Sequence, residues 1–182
     1  MGTRDFIFLY LISFCQIFYG YYILGTYKTM GATKIPDDQL LTAIGSIGSL
    51  INGVARIFWS TMLDYFSFNR VYRSLLVIQI LMIVTVEWSL NMPWLYAINI
   101  CISMMCEGAI TSMLPTETMK HFGKTRGSTV YSFMFSSLGV SAITGSILVS
   151  LLQYKIGFTG MLYICMGLTL VSFLLTIIYR SD

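Results

Sequence analysis

The sequence predicts an all-α membrane protein of six transmembrane helices, and three observations support this prediction. Of its 182 residues, 56% are hydrophobic and only 10% are charged, whereas soluble domains carry about 25% charged residues. The mean hydropathy is +0.75. Six segments approach the roughly 20 apolar residues that a membrane-spanning helix needs. The short links between them leave no room for a soluble domain, so we expect a single domain over residues 1–182, with neighbouring helices antiparallel.

The first half of the chain holds three predicted spans. They are Phe6–Thr26, Leu40–Leu63 and Ser74–Leu90. In the second span Gly45, Ser49 and Gly53 recur every four residues, a spacing of small residues that lets helix backbones approach closely. The third span is apolar all round, so we expect it to face lipid.

The second half repeats this pattern. Its predicted spans are Trp94–Pro115, Gly127–Gln153 and Phe158–Tyr179. Small residues again recur every four positions in the fifth span, at Ser137, Ser141 and Gly145, which predicts close helix packing there. The sixth span is uniformly apolar and is expected to face lipid like the third.

The lysines and arginines predict the orientation of the chain. One side of the predicted fold carries Arg4, Arg70, Arg73, Lys120, Lys124, Arg126 and Arg180, and the other carries Lys28, Lys34 and Lys155. Because the more positive side stays on the side of synthesis, both termini are expected in the cytoplasm, or in the matrix of a mitochondrion. The basic cluster that follows Pro115 is expected to be a loop that sets topology or binds anionic lipid or a partner subunit.

Arg56 is the candidate functional residue of the second span. It lies in an otherwise uncharged run from Leu41 to Leu63, with Asn52 one turn before it and Asp64 eight residues after it. A charge inside a membrane span is costly and marks a functional site by default. Arg56 is therefore predicted to face a central cavity; the alternative is that it extends to the membrane surface.

Glu107 is the second charged candidate, within the fourth span. Three interpretations stay open for it. It is a structural partner for Arg56, a proton-coupling site, or an acid placed near the lipid interface.

The remaining side chains predict no enzyme, metal site, cofactor or nucleic-acid interface. Cys15, Cys101, Cys106 and Cys165 lie in apolar segments without a nearby histidine, which is typical of small buried residues. His121 stands in a polar stretch beside lysines. We see no catalytic nucleophile, phosphate-binding loop or haem-ligand spacing, and the net charge of +3 is a topology signal in so apolar a chain.

Six helices with a charged loop between the second and third resemble one half of a major facilitator superfamily transporter, a fold of two six-helix halves around a central cavity. The superfamily's loop motif resembles G-x-x-x-D-x-x-G-R-[KR], and the segment Ser60–Arg70 occupies its place. The acid and the arginine are Asp64 and Arg70, whereas Ser60 and Ser67 stand at the glycine positions. In the family this loop locks helices during the transport cycle, so the resemblance implies a gating role for Asp64 and Arg70.

Three stretches are more similar to the C-terminal half of the oxalate/formate antiporters, and less so to the monocarboxylate transporters. The opening from Phe6 to Gly20 is similar to the start of that family's seventh helix. The run from Asn52 to Trp59, with Arg56 in register, resembles the eighth helix. The run from His121 to Gly139 resembles the loop into the eleventh helix.

The resemblance also implies a substrate site. In the antiporters an eighth-helix arginine and an eleventh-helix lysine together hold the substrate carboxylates. Arg56 matches the arginine, with Asn52 beside it, whereas Leu138 falls at the lysine position. One cation suits a monocarboxylate, which a guanidinium binds through two parallel hydrogen bonds. Alternatively, Arg56 is a relic whose charge Glu107 balances.

Two functions follow from the resemblance. The favoured one is a non-transporting accessory subunit of a larger membrane complex, with a respiratory assembly of the mitochondrial inner membrane as an expected host. The missing second cation and the replaced loop glycines support it. The alternative is a half-size transporter for small carboxylates that works as a dimer or with a separate N-terminal half. In either case the partners are membrane lipids and other membrane subunits.

Overall fold

The computed structural model describes residues 3–179 and is helical along nearly its whole length. Arg180 lies outside the described residues, as do the side chains of Thr3, Lys124 and Thr125. The helices are α1 (Thr3–Gly31), α2 (Asp38–Tyr65), α3 (Phe68–Ser89) and a continuous element, Pro93–Ile178. Gly123 has φ 78° and ψ 159° and divides this element into α4 (Pro93–Gly123) and α5 (Arg126–Ile178).

The described part of the chain thus contains five helices long and apolar enough to cross a membrane. The predicted fifth and sixth spans both lie within α5, so the count of six stays a prediction. Gly157 interrupts α5 with φ 70° and ψ −173°, a backbone conformation that residues other than glycine rarely adopt. The two parts of α5 are residues 126–156 and 158–178.

Both parts of α5 lie against the same stretch of α1. The hydroxyl of Ser141, in the first part, donates to the Phe14 carbonyl at 3.2 Å. The hydroxyl of Ser172, in the second part, donates to the Ile12 carbonyl at 3.1 Å. The predicted small-residue stripe of the fifth span accordingly packs, with Gly145 next to the ring of Phe18.

The small-residue stripe of α2 packs only in part. Gly45 is buried against the Tyr27 hydroxyl, whereas Ser49 and Gly53 are exposed. The buried row runs instead through Gly45, Gly48 and Asn52, where Gly48 lies against the sulfur of Met104. The prediction chose the wrong row because small residues occur on both faces of this helix.

Two helix boundaries have clear local causes. The Asp37 carboxylate accepts a hydrogen bond from the backbone N–H of Leu40 at 2.9 Å, an N-cap that starts α2. The second boundary is the C-terminal end of α4, which continues through Pro115 and ends at Gly123, where the backbone leaves the helical conformation. The segment predicted as a loop after Pro115 is therefore the last two turns of a helix.

Hydrogen bonds from side chains connect neighbouring helices at one end of the bundle, which we call the basic end. Lys120 donates to the carbonyl of Leu63 at 2.8 Å, and Arg73 donates to the carbonyl of Thr176 at 2.9 Å. These carbonyls belong to the last turns of α2 and α5, which lack helical N–H partners and attract cations. At the same end His121 lies 3.4 Å from the carboxylate of Asp5.

The opposite end has its own set of contacts. Lys28 forms an ion pair with Asp38 at 2.9 Å, Lys34 donates to Asn91 at 2.9 Å, and Thr159 donates to Glu87 at 2.5 Å. These contacts place Arg73 and Lys120 at one end of the bundle and Lys28 and Lys34 at the other, the division that the sequence predicts for these four residues.

The most buried helices are α1 and α4, and α2 and the long α5 expose the most side chains. Two hydrophobic clusters fill the interior. One surrounds Trp59 and Tyr72 towards the basic end, and the other surrounds Tyr19 and Tyr96 towards the opposite end. Between them lies a layer of buried polar side chains, and this layer contains part of the predicted site.

Candidate functional site

Arg56 lies on the exposed side of α2, one helical turn beyond Asn52. Its Nη2 donates to the Asn52 side-chain oxygen at 3.4 Å, the contact expected of side chains four residues apart on a helix. The ion pairs of the described chain are Lys28 with Asp38 and His121 with Asp5. Arg56 is thus exposed and makes no direct ion pair among the described residues, and the nearest acid given by its electrostatic interactions is Glu107.

Asn52 connects Arg56 to the interior. Its side-chain nitrogen donates to the Met104 carbonyl at 2.8 Å and also to the carboxylate of Glu107. Its oxygen faces Arg56. Both N–H bonds and the oxygen of this amide are therefore in use, which fixes its orientation.

Glu107 is buried on α4, with 6% of its surface exposed. It is not in direct ion-pair contact with Arg56, because Asn52 stands between them. The three residues form a row in which the guanidinium donates to the amide and the amide donates to the carboxylate. The structure therefore brings the predicted residues Arg56, Asn52 and Glu107 together, linked through the amide.

Two glycines make room for this row. A Cβ at Gly108 would lie 2.6 Å from the backbone oxygen of Asn52, and a Cβ at Gly20 would overlap the side chain of Glu107. Both positions therefore bring neighbouring helices closer than any other residue would allow. The close approach of α1, α2 and α4 at this level depends on them.

Two tyrosines complete the surroundings of Arg56. Tyr21 of α1 and Tyr131 of α5 are both half-buried and lie within electrostatic range of its guanidinium. Tyr21 and Gly25 also line a cavity of about 340 Å³ between α1 and α5, with Gly145 and Ser146 of α5 opposite. The sequence analysis missed both tyrosines, since a tyrosine in an apolar helix gives no sign of which face it occupies.

The predicted gating residues lie elsewhere, at the basic end. Asp64 is exposed and makes no hydrogen bond or ion pair within the described chain. Arg70 donates through Nε to the Ser67 hydroxyl at 3.2 Å, and its guanidinium carbon lies 5.8 Å from the centre of the Phe66 ring. Asp64 and Arg70 do not contact each other.

Leu138, which falls at the antiporter lysine position, is only 3% exposed and belongs to the hydrophobic cluster at the basic end. The side chain at this position therefore points into the bundle, where it packs against apolar neighbours.

A second polar cluster was not predicted. The Gln16 and Gln79 side chains hydrogen-bond at 3.1 Å, and Gln79 also donates to the Gln16 carbonyl and to the hydroxyl of Thr169, both at 3.1 Å. All three residues are buried. A lone amide within an apolar run, as in each of these two helices, is the sequence signal that would have found it. The cluster ties α1, α3 and the second part of α5 together.

The described residues contain no group of three or more His, Cys, Asp or Glu side chains that could hold a metal ion.

Comparison with known proteins identifies the family. Residues 7–182 match the family model of the Major Facilitator Superfamily. No curated protein matches the chain. The match covers nearly the whole sequence, and it accords with a bundle of long apolar helices that holds a charged site in its polar layer. The chain belongs to the major facilitator superfamily.

Proposed function

We propose that this chain acts as one half of a membrane transporter for small carboxylates and that Arg56 binds the substrate anion. One observation carries the proposal: Arg56 is exposed and makes no ion pair in the described chain, while the carboxylate of Glu107, which is within electrostatic range of it, is buried and hydrogen-bonded to Asn52. A cation within a membrane span needs a compensating anion. A substrate carboxylate at this face would supply it.

The surroundings of Arg56 suit a carboxylate. A guanidinium presents a planar fork that matches the two oxygens of a carboxylate. Asn52 uses one side of that fork, and the hydroxyl groups of Tyr21 and Tyr131, like the carboxylate of Glu107, lie on neighbouring helices within electrostatic range. The single cation favours a monocarboxylate such as formate or lactate over a dicarboxylate such as oxalate.

The exposed face implies a second half. About two thirds of the most apolar stretches of α2 and α5 remain unburied, and Gly53 and Arg56 lie on that surface. A charged, glycine-bearing surface is unfavourable in lipid. A second half of the same fold, packed against this face, would enclose Arg56 in a central cavity.

Carboxylate flux in reconstituted vesicles tests the proposal. The protein is purified from its native membrane with any chain that accompanies it, and uptake of labelled formate, lactate and oxalate is measured. We expect uptake that Arg56→Ala abolishes and that Arg56→Lys retains in part. Arg126→Gln, which removes an exposed cation at the start of α5, is the matched control and should leave uptake unchanged. Undiminished uptake by the Arg56→Ala protein would place the anion site elsewhere.

A second candidate function is that of an accessory subunit, and the gating loop favours it. Ser60 and Ser67 replace both glycines of the family motif, and Asp64 and Arg70 do not contact each other. Solubilisation in mild detergent, followed by native electrophoresis and mass spectrometry, tests this function. Co-migration with a large complex at fixed stoichiometry, without carboxylate uptake by that complex, would establish it. The mitochondrial inner membrane as host stays a prediction.

We also propose that Gly157 divides α5 into two antiparallel spans, so that the chain crosses the membrane six times with both ends on one side. In one straight helix, Ser141 and Ser172 would lie roughly 46 Å apart, yet both bond to carbonyls of α1 that are two residues apart. Thr159 also bonds to Glu87 at the end opposite the basic end.

Labelling of single cysteines tests this topology. In a protein whose four native cysteines are replaced by serine or alanine, Arg126→Cys and Lys155→Cys should react with a membrane-impermeant reagent from opposite sides. Reaction of both from the same side would disprove the six-span arrangement.

A further inference from the structure

A cleft of about 500 Å³ opens between α2 and α3 towards the basic end of the bundle. It does not include Arg56 or its partners. Its walls are almost wholly apolar, formed by Phe58, Trp59, Met62, Phe66, Ile78 and Met105. The hydroxyl of Ser74 also lines the cleft, but it donates to the Val71 carbonyl at 2.7 Å. The size of the cleft is in the usual range of ligand-binding pockets.

Arg70 is the single charged residue that lines this cleft, and it lies at the end nearest the membrane surface. Its Nε donates to Ser67 and its plane lies near the Phe66 ring, so the guanidinium is held beside the opening. The ion pairs of the described chain do not include Arg70, and neighbouring Asp64 is exposed and unpaired there. The two terminal nitrogens of Arg70 are thus available for an anion.

We propose that this cleft binds one anionic phospholipid, with an acyl chain against the apolar walls and the phosphate on Arg70. Both helices that form the cleft are long and apolar enough to cross a membrane, so lipid is the solvent at its opening. From Arg70 to Ile78 the cleft follows α3 for eight residues, roughly 12 Å, from the surface towards the bilayer interior. An apolar groove that ends at a cation complements a molecule with an apolar chain and an anionic head.

Trp59 provides a reporter inside the cleft. Its indole N–H donates to the Met105 carbonyl at 3.0 Å, which fixes the ring in the wall. The other tryptophans, Trp88 and Trp94, are 67% and 60% exposed near the opposite end. A protein that carries both Trp88→Phe and Trp94→Phe should therefore fold and retain Trp59 as its one tryptophan.

The experiment measures which lipid displaces a quencher from Trp59. The full chain is reconstituted in vesicles of brominated phosphatidylcholine, whose bromine atoms quench tryptophan fluorescence. Unbrominated phosphatidylglycerol or unbrominated phosphatidylcholine is then added in increasing fractions. We expect phosphatidylglycerol to restore Trp59 emission at about a fivefold lower fraction than phosphatidylcholine, the usual effect of one arginine near an anionic lipid surface.

Three variants locate the effect. Arg70→Gln should remove the preference for phosphatidylglycerol, and Arg4→Gln, which removes an exposed cation outside the cleft, should preserve it. Ser74→Leu should reduce quenching by the brominated lipid because it fills the cleft. Equal displacement by the two lipids in the unmodified protein would overturn the proposal, as would an equal loss of preference in Arg70→Gln and Arg4→Gln. Unquenched Trp59 emission in brominated lipid would also overturn it, since a polypeptide or nothing would then occupy the cleft.

Discussion

The amide of Asn52 donates to the buried carboxylate of Glu107 across the contact between α2 and α4. Asn52 also accepts from Arg56 on its own helix. The side chain of Asn52 thereby separates the exposed guanidinium of Arg56 from the buried carboxylate of Glu107. An anion that binds Arg56, as proposed above, would not have to break a direct ion pair between Arg56 and Glu107.

We expect substitutions of Glu107 to separate its hydrogen bond from its charge. Glu107→Gln keeps an oxygen that accepts from Asn52, so the free energy of unfolding should change by less than about 1 kcal/mol. Glu107→Ala leaves the amide without this acceptor and opens a cavity, which should cost about 2–4 kcal/mol. Unfolding in detergent, followed by intrinsic fluorescence, measures both. A Gln variant as unstable as the Ala variant would show that the negative charge itself holds the helices.

The Glu107→Gln variant also tests proton coupling. If Glu107 couples protons to transport, Glu107→Gln should lose uptake driven by a pH gradient and retain exchange of labelled for unlabelled substrate. Loss of both activities would indicate instead that the carboxylate is needed for substrate binding.

Two glycines near Asn52 should respond to alanine in opposite ways. Gly108→Ala places a methyl group 2.6 Å from the Asn52 backbone oxygen, so we expect a loss of about 1–3 kcal/mol in unfolding free energy. Gly53→Ala meets nothing within 4 Å and should raise helix stability by up to about 1 kcal/mol. Thermal unfolding of the two variants side by side measures the difference. Equal effects would show that α2 and α4 do not approach as closely as described.

The buried glutamines should behave as a coupled pair. Gln79→Leu removes three hydrogen bonds and leaves the side-chain nitrogen of Gln16 with only its 3.4 Å bond to the Cys106 carbonyl, which should cost about 1–3 kcal/mol. Adding Gln16→Leu removes that buried amide as well, so the double variant should be less destabilised than the sum of the single variants. Strict additivity in a double-mutant cycle would contradict the contact between these amides.

Gly157 should be intolerant of alanine where other glycines of α5 are not. Its φ of 70° with an extended ψ is a conformation nearly restricted to glycine, so Gly157→Ala should cost about 1–3 kcal/mol. Gly167 has ordinary helical geometry and open space around it, and Gly167→Ala is the matched control. If the two variants unfold at the same temperature, α5 does not bend at residue 157.

The long apolar helices could be predicted from the sequence, and Arg56, Asn52 and Glu107 could be chosen as candidates, because both steps depend on local pattern. Apolar length defines the spans, and a charge within one is conspicuous wherever it occurs. The contact between Asn52 and Arg56 is also local, since four residues separate them on one helix. The structure adds what depends on the crossing of helices: the position of Glu107 behind Asn52 is determined by Gly20 and Gly108, two glycines that no periodicity distinguishes from the other glycines of the chain.

Other features escaped prediction for a related reason. Gln16 and Gln79 lie 63 residues apart, and nothing in either apolar run identifies the other as its partner. In α2, small residues line two faces, so the spacing of Gly45, Ser49 and Gly53 did not reveal which face is buried. The link between two stretches of α5 remained ambiguous because Gly157 interrupts the helical backbone without a polar loop.

We expect the basic side chains at the basic end to have two roles. Lys120 and Arg73 belong to the residues whose sign would direct insertion of the chain, and each also holds the last carbonyls of a neighbouring helix. The orientation predicted from the charges and the packing of the helices therefore depend on the same side chains. Moving these cations to the other end, in order to invert the protein in its membrane, would also remove the hydrogen bonds to the last turns of α2 and α5. A redesign of topology would therefore have to supply new C-terminal caps for both helices.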